Sequence, residues 1–259
     1  MDENESLMSF SIGVEFDRAI DWRKRLGLEI PFLRAWLRSW NAKQVADLAC
    51  GSGRHCLALA DQGFTMTGVD EDPSMLALAE ALLAERRSRS GSNQDCRFLR
   101  GDLRRLELPR QDAILCLGNS LSLLEGPDEV QSVLQGFHDT LRTRAGVILH
   151  VLNYRRFAQP GRAFFPLKTD LEDGLPRRHY LKMIQCQETT AQVHLVLIEE
   201  ESGTWVRRVK SERLALLEPQ TLQEMLRRAG FREIQIYGSL RGEHYDEDSP
   251  DVVVCARRG

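Results

Sequence analysis

The chain predicts an α/β fold built on a parallel sheet with helices on both faces, carrying an antiparallel insertion. Three observations support this. Strand-like and helix-like patterns alternate between residues 44 and 152, which requires right-handed crossovers between parallel strands. The first strand breaks into a glycine turn, Asp47-Leu48-Ala49-Cys50-Gly51-Ser52-Gly53-Arg54-His55, that runs into a helix. After residue 152 the rhythm changes, and segments 178–187, 192–200 and 204–216 read as strands with no helix between them.

Each element has a local signal. Residues 16–28 read as a polar helix, and Pro31 is expected to open a second one whose apolar face is Leu33, Trp36, Leu37 and Trp40. Residues 44–49 form the first buried strand, 54–62 a helix closed by Gly63, and 64–69 the second strand. Asp72-Pro73 supplies an N-cap and a first-turn proline to a helix carrying Met75, Leu76, Ala79, Leu82 and Leu83. A polar connection over 88–93 leads to a third strand at 96–99, and a fourth spans 112–117. Gly126-Pro127 starts the clearest amphipathic helix, with Val130, Val133, Leu134, Phe137 and Leu141 on one side, and 146–152 is the fifth strand. Within the insertion, residues 193–198 are apolar and β-branched, and Glu201-Ser202-Gly203 suits a hairpin turn. A helix from Pro219, stopped by Gly230, and strands at 231–237 and 252–256 complete the chain. The layout is an N-terminal helical cap (1–43) and a main domain (44–259) that includes a covering insertion (155–217).

Composition narrows the function. The 259 residues are 42% hydrophobic and carry a net charge of −3, so no global field favours nucleic acid despite arginine clusters such as Arg86-Arg87-Ser88-Arg89. Six scattered cysteines without a Cys-x-x-Cys pair suggest neither disulfides nor a zinc site. The acidic start has no signal-peptide pattern, and no apolar run approaches the roughly 20 residues that span a bilayer, so a cytoplasmic location is expected.

In open α/β sheets, ligands sit beyond the carboxyl ends of the strands. Polar groups fall at four such ends in order: Gly51 and Gly53, then Asp70, then Asp102, then Leu117-Gly118-Asn119-Ser120. A lone Gly-x-Gly reads as a turn and a lone Asp as a helix cap, but Asp72 already fills the capping role beside Asp70. Cys56 stands where dinucleotide turns carry a third glycine, and there is no phosphate-binding Lys-Ser/Thr pair. Both facts disfavour NAD and ATP, and a nucleoside without a pyrophosphate, such as S-adenosyl-L-methionine, fits better.

From about Trp22 onward the chain resembles the class I S-adenosylmethionine-dependent methyltransferases, a Rossmann-like fold. The stretches Asp47 to Gly53, Asp112 to Ser120 and Asn153-Tyr154 resemble the glycine/sarcosine N-methyltransferase subgroup. The resemblance implies a seven-stranded sheet with an antiparallel last strand at 252–256. It further implies that Ala49 and Gly51 lie against the methionine portion, that Asp70 binds the ribose, and that Asp102 and the Leu103 amide meet adenine. The Leu117 carbonyl would face the cofactor's amino group, and Trp22 and Arg25 would close over it, with Gly53 and Asn119 completing the set. Leu152 and Leu123 stand where glycine-type enzymes carry an arginine and a histidine, which disfavours glycine itself.

The expected activity is in-line transfer of the sulfonium methyl to a small-molecule nucleophile, foremost an amine. Methylation of RNA or protein, or a non-catalytic cofactor-binding module, are the alternatives. No membrane or metal is implied. For a base or substrate contact the sequence offers Tyr154, for which packing at the core edge is almost as good a reading, His150, which reads better as a satisfied core histidine, and His179, on the cover.

Overall fold

The computed structural model describes residues 12–90, 95–157, 162–165, 168–170, 178–187, 190–201 and 203–259. Two helices lead, α1 (Ile12–Arg18) and α2 (Trp22–Ser39). The alternating part follows: β1 (Gln44–Leu48), α3 (Arg54–Ala60), β2 (Thr65–Asp70), α4 (Pro73–Ser90), β3 (Cys96–Arg100), β4 (Gln111–Cys116), α5 (Pro127–Thr140) and β5 (Leu141–Leu152). Then come β6 (Arg162–Phe164), β7 (Lys168–Asp170), β8 (Arg178–Cys186), β9 (Thr190–Glu201) and β10 (Thr204–Ala215), before α6 (Pro219–Arg228), β11 (Phe231–Tyr237) and β12 (Asp251–Arg258).

Seven strands form the main sheet in the order β11-β12-β5-β4-β1-β2-β3. All neighbours are parallel except β12, which runs antiparallel to both β5 and β11. The chain winds outward from β1 to β3 on one side and from β4 on the other. A crevice therefore opens between the carboxyl ends of β1 and β4.

Successive side chains of a buried strand face opposite layers, and the core divides accordingly. Ile114, Val147 and Val254 pack with Val130, Leu134 and Phe137 of α5 and Leu222 and Leu226 of α6. Leu115, Ile148 and Val253 meet Leu33 and Leu37 of α2, Leu57 of α3 and Leu83 of α4. Trp40, just past α2, lies flat enough on β5 that a Cβ at Gly146 would come within 2.5 Å of its ring.

The insertion is a second, antiparallel sheet, β10-β9-β8-β6 with β7 also on β8. The three long strands are those expected; β6 and β7 were too short, at three residues each, to leave a periodic signal. The β9–β10 turn pairs Glu201 with Thr204 around Gly203, whose φ is +83°.

Two expectations are corrected. Pro31 does not open a helix: it lies inside α2, which begins at Trp22 and is capped by Asp21 accepting from the Lys24 amide at 3.0 Å. The expected helix over 16–28 is instead broken between Arg18 and Trp22. Pro31 cannot donate to the carbonyl of Gly27, but both residues are exposed, so water serves that carbonyl while Ile30, Leu33 and Leu37 hold the apolar face together. The connection expected over 88–93 is helical through Ser90, and its remainder lies outside the described residues.

Restoring the missing bond is expected to help. Pro31→Ala should raise stability in urea unfolding by about 1–2 kcal/mol, the interior-proline penalty less the entropy returned to the unfolded chain.

Candidate active site

A cavity of about 770 Å³ opens at the β1/β4 crevice, with α1 and the antiparallel sheet closing it from above. Its floor is the β1–α3 turn. Ala49, Gly51 and Gly53 take left-handed backbone there, with φ of +56°, +56° and +68°. The turn is held by the Gly51 amide donating to Asp70 Oδ2 at 2.7 Å and the Cys50 amide donating to the Val69 carbonyl at 3.0 Å. Gly51 lines the cavity; Gly53 does not, and a Cβ there would meet the Phe98 ring at 2.3 Å. The second glycine thus serves close packing of the α3 start on β3.

Asp70 at the end of β2 accepts from the Gly51 and Asp72 amides, one per oxygen, and faces the cavity. Each oxygen keeps a second lone pair, which suits a vicinal diol. Asp72 caps α4 through the Ser74 amide at 2.8 Å, as its sequence position requires. Asp102, past β3, is gripped by Arg104, whose Nε lies 2.8 Å from both oxygens, and this hydrogen bond first of all holds its carboxyl below the usual range. Leu103 lines the same end.

Asp47 is the electrostatic centre of the other end. It is 1% exposed; among the described residues its Oδ2 has only the Cys56 thiol, at 3.5 Å, and its Oδ1 has no partner. Burial pushes its carboxyl up to about 6. Nearby, Glu29 accepts from Arg25 Nε at 2.9 Å and sits 2.7 Å from His55 Nε2. Burial works to raise the Glu29 carboxyl, but the His55 hydrogen bond and the His55 and Arg25 charges hold it below its ordinary value. Trp22 lies beneath both Arg25 and Arg54, at 5.0 and 5.4 Å from its ring centre. Arg25 therefore reaches the cavity already paired with a carboxylate.

From α1, buried Asp17 accepts from Ser52 Oγ and from two of the Arg54 nitrogens, Nη2 at 3.1 Å and Nε at 3.2 Å. Neither Asp17 nor Glu29 was singled out from the sequence. Glu29 stands four residues after Arg25, a helical pairing distance that was legible; Asp17 meets Ser52 only through tertiary packing.

Past β4, Leu117, Gly118 and Asn119 line the cavity, but the Asn119 side chain points elsewhere. Its Oδ1 accepts from the Leu152 amide at 2.9 Å, and its amide and the Tyr154 hydroxyl lie 2.8 Å apart. The Leu117 carbonyl already accepts from Ser120 Oγ at 2.9 Å. The three weak candidates for chemistry fall outside the cavity wall. Tyr154 is buried at the foot of the second sheet. His150 accepts from the Gly118 amide through Nδ1 at 3.1 Å, with Nε2 off hydrogen-bond geometry, 3.2 Å from Asp251. His179 stacks on Trp205 and pairs with Thr169 on the far face of the insertion. Packing claims each of them. The sequence missed the insertion's own contribution, Lys182, Lys210 and Glu212, which line the roof.

The Asp47 carboxylate makes the stability of the fold pH-sensitive. The folded chain binds this proton more tightly than the unfolded one, so ionised Asp47 destabilises the fold. That penalty is absent below 3.8, grows as pH rises towards about 6, and is constant above. Asp47→Asn should therefore stabilise the ligand-free protein by roughly 1–3 kcal/mol at pH 7.5 and by much less at pH 4.5, measured by urea unfolding.

Comparison with known proteins agrees with this geometry. The family described as "Methyltransferase domain" matches residues 45–144. The glycine/sarcosine N-methyltransferase of Parasynechococcus marenigrum (strain WH8102) is 33% identical over 149 residues, 57% of this chain and 51% of that one. The glycine/sarcosine/dimethylglycine N-methyltransferase of Actinopolyspora halophila is 26% identical over 253 residues, 93% of this chain and 40% of that one. The chain thus spans about half or less of the length of these two relatives. An S-adenosylmethionine-dependent methyltransferase structure from Clostridium acetobutylicum superposes with a TM-score of 0.74 over 93% of both chains at 15% identity, a likeness of fold. Sheet order, the crevice at the β1/β4 switch and these matches agree: residues 45–144 match a methyltransferase domain, the chain is similar in sequence to glycine/sarcosine N-methyltransferases, and its fold is like that of an S-adenosylmethionine-dependent methyltransferase.

Proposed function

We propose that the chain binds S-adenosyl-L-methionine in this cavity and transfers its methyl group to a small-molecule amine. The observation that carries the reading is Asp47. A buried carboxylate with an unpartnered oxygen at a cavity wall fits a cationic ligand, because its desolvation is offset only when an opposite charge arrives. The cofactor's ammonium is such a charge.

The other residues fit the rest of the molecule. Asp70 would accept from the ribose hydroxyls, and Asp102 from the adenine amine, with the Leu103 amide beside it. Ala49, Gly51 and the Leu117 carbonyl would line the methionine portion, and Arg25, carried on the Trp22 face, would take its carboxylate. Gly53 would act by seating α3, and Asn119 by fixing the β4 loop to Leu152 and Tyr154.

The bound cofactor supplies an activated methyl. The protein's part is alignment of an unprotonated amine and exclusion of water. The second sheet and α1 roof the chamber, which supports an acceptor small enough to be enclosed rather than an RNA or a protein. Residues 1–43 would act as the cap and 155–217 as the cover. The names of the similar enzymes refer to amines, which supports nitrogen as the acceptor atom. Six free cysteines suit a reducing compartment such as the cytoplasm.

Calorimetry tests the reading. S-adenosylmethionine and S-adenosylhomocysteine should both bind, and Asp70→Ala should weaken binding at least tenfold, about 1.4 kcal/mol. Equal affinity of wild type and variant would remove the basis for the assignment.

A further inference from the structure

His150 is the one polar side chain in the β5 run Gly146-Val147-Ile148-Leu149-His150-Val151-Leu152, and it is 7% exposed. A polar group buried in such a strand is destabilising unless it is hydrogen-bonded. Register decides what it can reach. β5 lies between β4 and β12, and its pairing with β4 ends at Cys116 opposite Leu149. His150 therefore stands one step further, where the chain leaves the sheet. There Gly118 and Asn119 turn the backbone through two successive left-handed conformations, with φ of +72° and +76°. That turn takes the loop amides out of any ladder, so they need other acceptors. His150 supplies two. The Gly118 amide donates to its Nδ1 at 3.1 Å, and the Asn119 amide to its carbonyl at 3.1 Å. A third bond, from the Leu152 amide to Asn119 Oδ1 at 2.9 Å, completes the attachment to β5.

The bond to Nδ1 fixes the state of the ring. A nitrogen that accepts from an amide carries no proton, so the neutral ring holds its proton on Nε2, 3.2 Å from Asp251 Oδ1. One nitrogen is occupied and the other faces β12, which leaves neither to take a proton from a substrate. The ring instead sets the direction of a carbonyl. Leu117 and Gly118 share one peptide plane, and in a trans peptide the carbonyl oxygen and the amide hydrogen point opposite ways. Holding the Gly118 amide on β5 thus turns the Leu117 carbonyl away from β5, at the cavity wall that Leu117 lines. Ser120 Oγ uses one lone pair of that oxygen at 2.9 Å, and the second remains for a ligand.

Resting on the methyltransferase reading above, we propose that His150 is a positioning residue: by holding the Gly118 amide it aims the Leu117 carbonyl at the cofactor's ammonium. The carbonyl is then oriented before the ligand arrives, and binding has less disorder to overcome. This role needs an acceptor at the Nδ1 position and nothing else of the imidazole. Asparagine carries its Oδ1 at that place, whereas the longer glutamine side chain carries its amide near the place of Nε2.

His150→Asn, His150→Gln and His150→Leu test this by two measurements: amide hydrogen exchange without cofactor, and calorimetry with S-adenosylhomocysteine. His150→Asn should keep the Gly118 amide protected and bind like wild type. His150→Gln and His150→Leu should exchange that amide faster and bind roughly tenfold or more weakly, the effect of one buried amide left unpaired. The amides of β5 itself should stay protected in all four proteins. Equal affinity of the Asn and Gln variants, or wild-type affinity in the Leu variant, would overturn the positioning role. Fast exchange along β5 in the weakened variants would make His150 merely structural and overturn it too. Wild type that fails to bind S-adenosylhomocysteine would overturn the methyltransferase reading itself, a result no variant is needed to see.

Discussion

A single buried carboxylate organises the chamber. Asp47 stands near the end of β1, where the sheet order reverses, with one oxygen on a thiol and the other on no group among the described residues. A charge in that position is tolerable only if something cationic is normally nearby, or if the group keeps its proton. The surroundings serve the first case. The left-handed turn at Ala49 and Gly51 removes side chains from the floor, and the Glu29, Arg25 and His55 cluster fixes the neighbouring charges without consuming Asp47. On the proposed reading, the fold holds in reserve a favourable interaction that is realised only on binding.

The rest of the cavity wall obeys the opposite rule, since its polar groups are pre-paired. Asp70 is oriented by two backbone amides, and Asp102 by Arg104. Such pairing fixes side-chain direction before the ligand arrives and lowers the ordering entropy that binding must overcome. Arg104 also lies 3.5 Å from Glu71 and 3.6 Å from Glu129, so two further carboxylates hold it.

Much of this was legible in the residues. The strand–turn–helix pattern at Asp47 to His55, the capping pair Asp72-Pro73 and the α5 apolar stripe are local signals, and the elements follow them. Asp70, Asp102 and Leu117 could be placed together because the topology rule puts the ends of parallel strands on one rim. What escaped was tertiary. Pro31 reads as a helix start, yet an exposed partner carbonyl at Gly27 let packing override it. Tyr154, His150 and His179 look chemically able, yet neighbours ten or more residues away in sequence turn them from the cavity. Lys182 and Glu212 sit in alternating strands where either face can be the inner one, and only the register between strands decides which.

Helix α1 is only seven residues long, yet it touches both halves of the chamber. Asp17 clasps Ser52 and Arg54 beside the glycine turn, while Glu15 reaches Arg178 and the Tyr180 hydroxyl on the roof sheet. A ligand that needs this helix displaced must loosen both clasps at once. Seven residues thus tie the floor of the cavity to its roof, and the two walls share one anchor.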